Sequence, residues 1–137
     1  MARLSVVAVA NRLPAWAEAA RDQYLGRMPR GYELTVVQLK PREAGLVREK
    51  IPKGARMVAL DERGKDLTTK QFAALLGEPT AFVIGCADGL DPSIRNDAAL
   101  LLRLSALTLP HALAQVVLCE QIYRAATLLT GHPYHRE

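Results

Sequence analysis

Short apolar runs rich in β-branched residues recur along this chain and alternate with segments of helical periodicity. Such runs are typical of strands buried on both faces, as in a parallel sheet. They predict strands at residues 4–10, 33–39, 55–61 and 80–85, with a polar turn at 62–65 and a further extended segment over 102–109. The alternation predicts an α/β fold, a single-domain three-layer sandwich with a mostly parallel sheet.

The helical segments carry recognisable start and stop signals. Pro14 opens the first, a threonine at position 68 or 69 can cap the next, and Asp91 followed by Pro92 is a typical N-cap and first helical residue. The longest helix is predicted from Pro110 to about Thr130.

This last helix is apolar around most of its circumference. The residues concerned are Leu113, Val117, Leu118, Ile122, Leu128 and Leu129. A helix of this kind is buried on more than one side, and in so small a domain the sheet can cover only one. A second subunit is the economical cover for the other side, so the pattern predicts a homodimer.

The composition fits one ordered domain spanning residues 1–137, with 50% hydrophobic and 23% charged residues. The net charge of +4 permits an acidic partner such as nucleic acid, although many basic proteins bind none. The N-terminal apolar run is interrupted by Asn11 and Arg12, so it indicates a strand rather than a secretory signal, and no run reaches the roughly 20 residues of a membrane span. We therefore expect a cytoplasmic protein without a membrane partner, in which Cys86 and Cys119 are reduced and buried.

Two junctions at strand ends are candidate binding segments. In "VIGCADGLDP", Gly85 and Gly89 would let a ligand approach the backbone closely, but the spacing matches neither a dinucleotide fingerprint nor a P-loop, and an ordinary tight turn explains it equally well. In "LSALTLPH", backbone groups before Pro110 are available to read a purine base. The alternative is that Ser105 and Thr108 bond the local backbone, with His111 as a structural hydrogen bonder.

The C-terminal stretch "TGHPYHRE" concentrates reactive side chains where chains are usually frayed. His132 and His135, with Cys119 upstream, do not make up the three or four convergent ligands of a zinc site, so we expect no metal. A hydrolase triad through Ser105 is equally disfavoured because no G-x-S-x-G is present. The tail is therefore either disordered or docked into a site.

Taken together, "VAVxxxxPxW", "FVIGxxxG" and "LSALTLPHxLxxVxLxEQxYRAxxxLxGxPYHRE" are similar to the ribosomal RNA large subunit methyltransferase H family of the SPOUT superfamily. The resemblance covers essentially the whole chain and is densest over residues 104–137. It implies an S-adenosylmethionine-dependent enzyme that methylates N3 of a pseudouridine in 23S rRNA of the assembled ribosome. It also implies a homodimer and an α/β SPOUT fold with a C-terminal trefoil knot.

The resemblance assigns functional roles to particular residues. The cofactor-binding positions correspond to Leu60, Gly85, Leu104, Ser105, Ala106, Leu107, Thr108 and Leu109. In the tail, Arg136 is suited to stabilise a developing anion or grip a phosphate, His135 to take a proton or orient the base, and Tyr134 to stack on it.

The chain also departs from the family pattern, since Cys86 replaces the second glycine of the cofactor loop. That change is the only support for the main alternative, a non-catalytic RNA- or ribosome-binding protein that keeps the SPOUT fold. A third reading, a small-molecule α/β enzyme, would make the basic surface incidental.

Overall fold

Five parallel strands form the sheet on which the rest of the chain is built. A computed structural model describes residues 2–86 and 88–134. Within them the strands are β1 (Ala2–Val9), β2 (Tyr32–Leu39), β3 (Arg56–Asp66), β4 (Thr80–Ile84) and β5 (Leu100–Arg103). The helices are α1 (Ala15–Gly26), α2 (Val47–Lys50), α3 (Thr69–Ala74), α4 (Pro92–Asp97) and α5 (His111–Thr130), with 3₁₀ segments at Pro41–Leu46 and Leu75–Gly77.

The strand order is β2-β1-β4-β3-β5, and every neighbouring pair is parallel. The most apolar run of the sequence, "TAFVI", becomes the central strand β4, and all its residues are buried. Because helices cover both faces of this strand, side chains pointing either way are buried, so the apolar run is continuous rather than alternating. The predicted parallel α/β sheet is confirmed.

Helices cover both faces of this sheet. On one face, α1, α3 and α5 pack around a core that includes Phe82, Leu118 and Ile122, and α5 contacts both α1 and α3. On the other face, Val83 of β4 belongs to a second core with Val47 of α2 and Ile94 of α4. The result is the predicted three-layer sandwich, while the trefoil knot stays a prediction of the resemblance.

The helix signals act as predicted. Thr68 caps α3, its hydroxyl accepting the N–H of Gln71 at 3.2 Å. Asp91 caps α4 by accepting the N–H of Ser93 at 2.7 Å. Gly131 ends α5 in the left-handed conformation, with φ at 75°.

Strand β3 is longer than predicted. Residues 62–65 continue the strand to Asp66 instead of forming a polar turn, with one shift in the pairing with β5. Two contacts with β5 explain the difference. Arg103 donates twice to the Asp66 carboxylate, at 2.7 and 2.5 Å, and a Cβ at Gly64 would lie 2.7 Å from the carbonyl carbon of Leu102. Only glycine allows β3 to run this close to its neighbour.

The segment predicted as extended over residues 102–109 is a strand only as far as Arg103. Residues 104–109 leave the sheet as a loop that leads into α5. Within this loop the Ser105 hydroxyl accepts the N–H of Leu107 at 2.9 Å, a local turn that a strand would not contain. The loop therefore begins where the Ser105 hydroxyl, rather than a neighbouring strand, accepts a backbone N–H.

Candidate functional site

A cleft of about 910 Å³ opens near the carboxyl ends of β3, β4 and β5. Parallel α/β sheets bind their ligands at this edge, because loops and helix starts converge there. Its walls come from β3, the turn after β4 and the loop after β5. All eight predicted cofactor positions line it: Leu60, Gly85, Leu104, Ser105, Ala106, Leu107, Thr108 and Leu109. The fold thus brings three segments that are distant in sequence together as the lining of one cleft.

The glycine turn folds back on itself at the cleft. The Gly89 N–H donates to the Cys86 carbonyl at 2.8 Å, and Gly89 has a φ of 92°, where other residues are strained. A Cβ at Gly85 would lie only 2.8 Å from the Gly89 oxygen. Both glycines are therefore required by the turn itself, as the tight-turn interpretation expected, and the binding role stays a prediction.

Cys86 occupies an ordinary backbone conformation. No non-glycine residue in the described part of the chain has a positive φ, Cys86 included. The position therefore does not need glycine for backbone reasons. Its thiol is half-buried on the cleft wall, with Sγ 3.9 Å from the Gly89 oxygen.

The loop over residues 104–109 combines a fixed turn with an exposed apolar side chain. Ser105 bonds the local backbone, as the structural interpretation expected. Leu104 and Leu109 are half-buried, whereas the Leu107 side chain is 78% exposed at the cleft. A single exposed leucine is ordinary on a protein surface, so what distinguishes Leu107 is its position in the lining of the cleft.

Charged residues at the cleft were missed by the sequence analysis. Asp61 accepts the backbone N–H of Arg63 at 2.7 Å and lies 3.3 Å from the Arg95 guanidinium, and its side chain is only 9% exposed. Since Asp61 follows the apolar part of β3, its place at the carboxyl edge was the available signal. Arg95 comes from α4, so only the fold brings it there.

His111 lies at the first turn of α5 and lines the cleft. Its Nε2 is 3.3 Å from the Gln115 amide nitrogen, and the Gly85 turn lines the same cleft. Burial lowers the pKa of His111, and the backbone of Gly85 offsets part of that effect. The ring is therefore neutral at pH 7 and acts as a structural hydrogen bonder, as expected.

Tyr134 is the one predicted tail residue that the structure describes, since His135 and Arg136 lie outside the described residues. It packs back on α5. The phenol donates to Glu120 Oε2 at 2.8 Å, its ring meets Tyr123 edge-on at 4.6 Å, and the Arg124 guanidinium lies 5.1 Å from the ring centre. Burial and the Glu120 carboxylate raise the pKa of Tyr134.

This docking site is remote from the chain's own cleft. Glu120 lies nine residues after His111 on α5, which is about 14 Å along the helix axis. Within one chain the structure therefore does not bring Tyr134 to the cofactor positions.

The expectation of two buried thiols is right for Cys119 and wrong for Cys86. Burial raises the pKa of the Cys119 thiol to about 12, which makes it an inert core residue. Among the residues that the structure covers, no three His, Cys, Asp or Glu side chains converge as a metal site would need. Over the same residues, no helix has both the length and the apolar character of a membrane span.

Comparison with known proteins places the chain in a family. The family model described as "Predicted SPOUT methyltransferase" matches residues 2–135. A ribosomal RNA large subunit methyltransferase H from Polynucleobacter asymbioticus is 48% identical, over 98% of this chain and 99% of that protein. One from Ralstonia pickettii is 44% identical with the same coverage.

A crystal structure of a Bacillus anthracis protein described as a candidate RNA methyltransferase is similar in fold, with a TM-score of 0.59 over 98% of both chains at 14% identity. That likeness supports the architecture, and the sequence matches support the closer relationship. This chain belongs to the ribosomal RNA large subunit methyltransferase H family of SPOUT methyltransferases.

Proposed function

We propose that this protein transfers a methyl group from S-adenosylmethionine to N3 of a pseudouridine in 23S rRNA of the assembled ribosome. One observation carries the proposal. The three segments that the family resemblance assigns to the cofactor form the walls of a single cleft at the carboxyl edge of the sheet. The relatives named as rRNA methyltransferases match over 98% of this chain, which supports the same overall function.

The residues present fit S-adenosylmethionine. The cleft volume of about 910 Å³ is within the usual range for small-molecule sites, roughly 300–1,000 Å³. Leu60, Leu104 and Leu109 supply apolar surface for an adenine ring, and the Gly85 turn supplies backbone groups without side-chain obstruction. When bound, the cofactor supplies an activated methyl group on a sulfonium. The protein then has to position the uracil N3 and favour its deprotonated form.

The catalytic tail is proposed to act on the partner subunit's cleft. Leu113, Val117, Glu120, Arg124 and Leu128 follow one another at helical spacing on α5, and each is only half-buried. This outward face also carries Tyr134. Two copies that pair here about a two-fold axis, with antiparallel helices, put the end of each α5 beside the start of the other. The tail of one subunit then meets the His111 end of its partner's cleft.

Such a dimer solves two problems together. It covers the half-buried Leu113, Val117 and Leu128 side chains of the outward face, and it brings the tail to a cleft that Tyr134 does not reach within its own chain. In that site Arg136 stabilises the developing anion and His135 orients the base or takes its proton. Tyr134 exchanges its contact with Glu120 for stacking on the base. An open composite site also admits a ribosome, which an enclosed pocket would exclude.

The rival function, RNA binding without catalysis, depended on Cys86. Because Cys86 has no positive φ, its side chain does not distort the turn, and the described geometry gives that rival no support. Equilibrium binding of S-adenosylmethionine separates the two functions directly, since the rival protein binds RNA alone.

The decisive experiment measures transfer of a labelled methyl group to intact ribosomes and to free 23S rRNA. We expect transfer to ribosomes, at a single pseudouridine that stops reverse transcription because an N3 methyl blocks base pairing. A protein that binds S-adenosylmethionine and ribosomes but transfers nothing would contradict the proposed function.

Two variants test the tail. Deleting residues 134–137 is expected to abolish transfer while cofactor affinity and dimer mass are retained. Arg136→Ala alone should slow methyl transfer because it removes about 2–4 kcal/mol of transition-state stabilisation, the range for one preorganised donor. Transfer at a near wild-type rate by the truncated protein would show that the tail has no catalytic role. A monomeric mass in light scattering would refute the composite site between two subunits.

A further inference from the structure

A buried chain of polar side chains joins helix α1 to the wall of the cleft. Arg21 Nη1 donates to Gln115 Oε1 at 3.0 Å. The Gln115 amide nitrogen lies 3.3 Å from His111 Nε2 and donates to Gln38 Oε1, also at 3.3 Å. Gln115 is completely buried on α5, and the Arg21 side chain is only 13% exposed. Every polar atom of this buried amide therefore has a partner, which is the arrangement that makes such a group tolerable.

The direction of these hydrogen bonds is fixed by Arg21. A guanidinium is always charged and can only donate, so the Gln115 oxygen must face it. The amide N–H groups then face His111 and Gln38, and Gln38 passes the direction on by donating to the Ala10 carbonyl at 3.4 Å. A flipped Gln115 would set its NH₂ group against a cation. His111 Nε2 must therefore accept, and a neutral ring carries its proton on Nδ1.

This tautomer matters because the ring stands between the relay and the glycine turn. Each ring nitrogen makes one in-plane hydrogen bond. With Nε2 occupied by Gln115, Nδ1–H is the group left for a partner in the Gly85 turn, which lines the same cleft. The turn has its own internal bond between Gly89 and Cys86, but that bond does not attach it to α5.

We propose that Gln115 is a positioning residue, which together with Arg21 holds His111 as the Nδ1–H tautomer and so ties the glycine turn of the cleft to α5 and α1. The inference rests on the proposed function for its consequence, cofactor affinity, but the tautomer itself does not depend on it. Arg21, Gln38 and Gln115 stand behind the cleft wall, and none of the three lines the cleft or contacts Tyr134. Loss of the relay therefore weakens cofactor binding and leaves the methyl-transfer step unchanged.

The test combines ring NMR with kinetics. In ¹⁵N-histidine-labelled protein, the ring correlations of His111 should show protonated Nδ1 and unprotonated Nε2. Gln115→Met keeps the side-chain size but removes all three hydrogen bonds of the amide, so the His111 ring should become a mixture of tautomers. The KM for S-adenosylmethionine should then rise by about tenfold, the equivalent of one buried hydrogen bond, with kcat unchanged.

Two further variants complete the design. Gln121→Met is the matched control, because Gln121 is a half-buried glutamine on the same helix that bonds Thr69 at 3.2 Å and has no part in the relay. It should leave tautomer and KM as in the wild type. Gln115→Glu keeps the acceptor for Arg21 but offers His111 only oxygens, so the proton should move to Nε2 or the ring should become charged.

A wild-type ring protonated on Nε2 would overturn the inference, as would a Gln115→Met protein with unchanged KM. Failure of the proposed function looks different. The wild type would then bind no S-adenosylmethionine, yet the His111 tautomer would still be Nδ1–H. In that event the shift of the Gly85 amide resonance in Gln115→Met reports the attachment of the turn, and an unmoved resonance refutes it.

Discussion

Replacing Gly85 by alanine tests the glycine turn as one wall of the cofactor site. The added Cβ would lie 2.8 Å from the Gly89 oxygen, 2.9 Å from the Gly89 carbonyl carbon and 3.1 Å from the Leu90 nitrogen. All three are backbone atoms, so no flexible side chain can give way. Relief requires the turn to open by several tenths of an ångström against the 2.8 Å bond between Gly89 and Cys86.

The size of the effect follows from where the strain can be released. Overpacking of this kind costs about 1–3 kcal/mol. Strand β4 is buried at the centre of the sheet and cannot shift, whereas the turn beyond it borders the open cleft. Most of the strain therefore appears as a displaced turn. We expect S-adenosylmethionine affinity to fall by about ten- to a hundredfold, and the bulkier Gly85→Val to abolish binding.

Calorimetric titration measures the affinity, and circular dichroism follows the thermal unfolding. Gly77→Ala is the control, since a Cβ at Gly77 would meet no atom within 4 Å and its φ is not positive. We expect the control to bind as the wild type does. Wild-type affinity in Gly85→Ala, with a normal melting curve, would refute the assignment of this turn to the cofactor.

Three other substitutions or conditions test separate parts of the structure. Gly64→Ala should lower the free energy of unfolding by about 1–3 kcal/mol, because its Cβ would press on the β5 backbone at 2.7 Å; an unchanged denaturant midpoint would contradict that contact. Burial holds the pKa of His111 in the folded protein below its ordinary 6.5, so the unfolded chain binds the proton at a higher pH than the folded one. The neutral His111 ring therefore contributes its full share to the free energy of unfolding above pH 6.5, and that share is lost as the pH falls. This pH dependence, followed by denaturation, should disappear in His111→Gln. Tyr134→Phe removes the 2.8 Å bond to Glu120 and should lower stability by about 0.5–1.5 kcal/mol in chemical denaturation, whereas no loss would mean that the tail is not docked there.

Local patterns were enough to predict the layers of the fold. Buried parallel strands need continuous apolar runs, and helix ends need capping groups, so β4 and the Asp91 cap could be located from neighbouring residues alone. The extension of β3 could not, because "ERGK" is a polar turn by composition. What makes it a strand is the close approach of Gly64 to β5, a segment almost forty residues later.

The site divides in the same way. The eight cofactor positions came from a resemblance and share one cleft in the fold, yet no periodicity predicted that they would meet. Asp61 had a local signal, its place after an apolar strand. Arg21 and Gln115 had none, since they are 94 residues apart and each is an unremarkable helix residue by itself. Contacts of that kind depend on how α1 and α5 pack.

Helix α5 connects every part of the proposed mechanism. Its first turn lines the cleft through His111, its buried face carries Gln115 of the relay, and its outward face carries the Glu120 contact with Tyr134. If two copies pair along that outward face, cofactor binding, dimerisation and tail docking all involve the same helix, α5. Tyr134 is docked on α5 within one subunit, so a partner helix on the same face would hold the start of the tail beside the neighbouring cleft. The proposed dimer would give Tyr134, which lies away from its own chain's cleft, a neighbouring cleft on which to act.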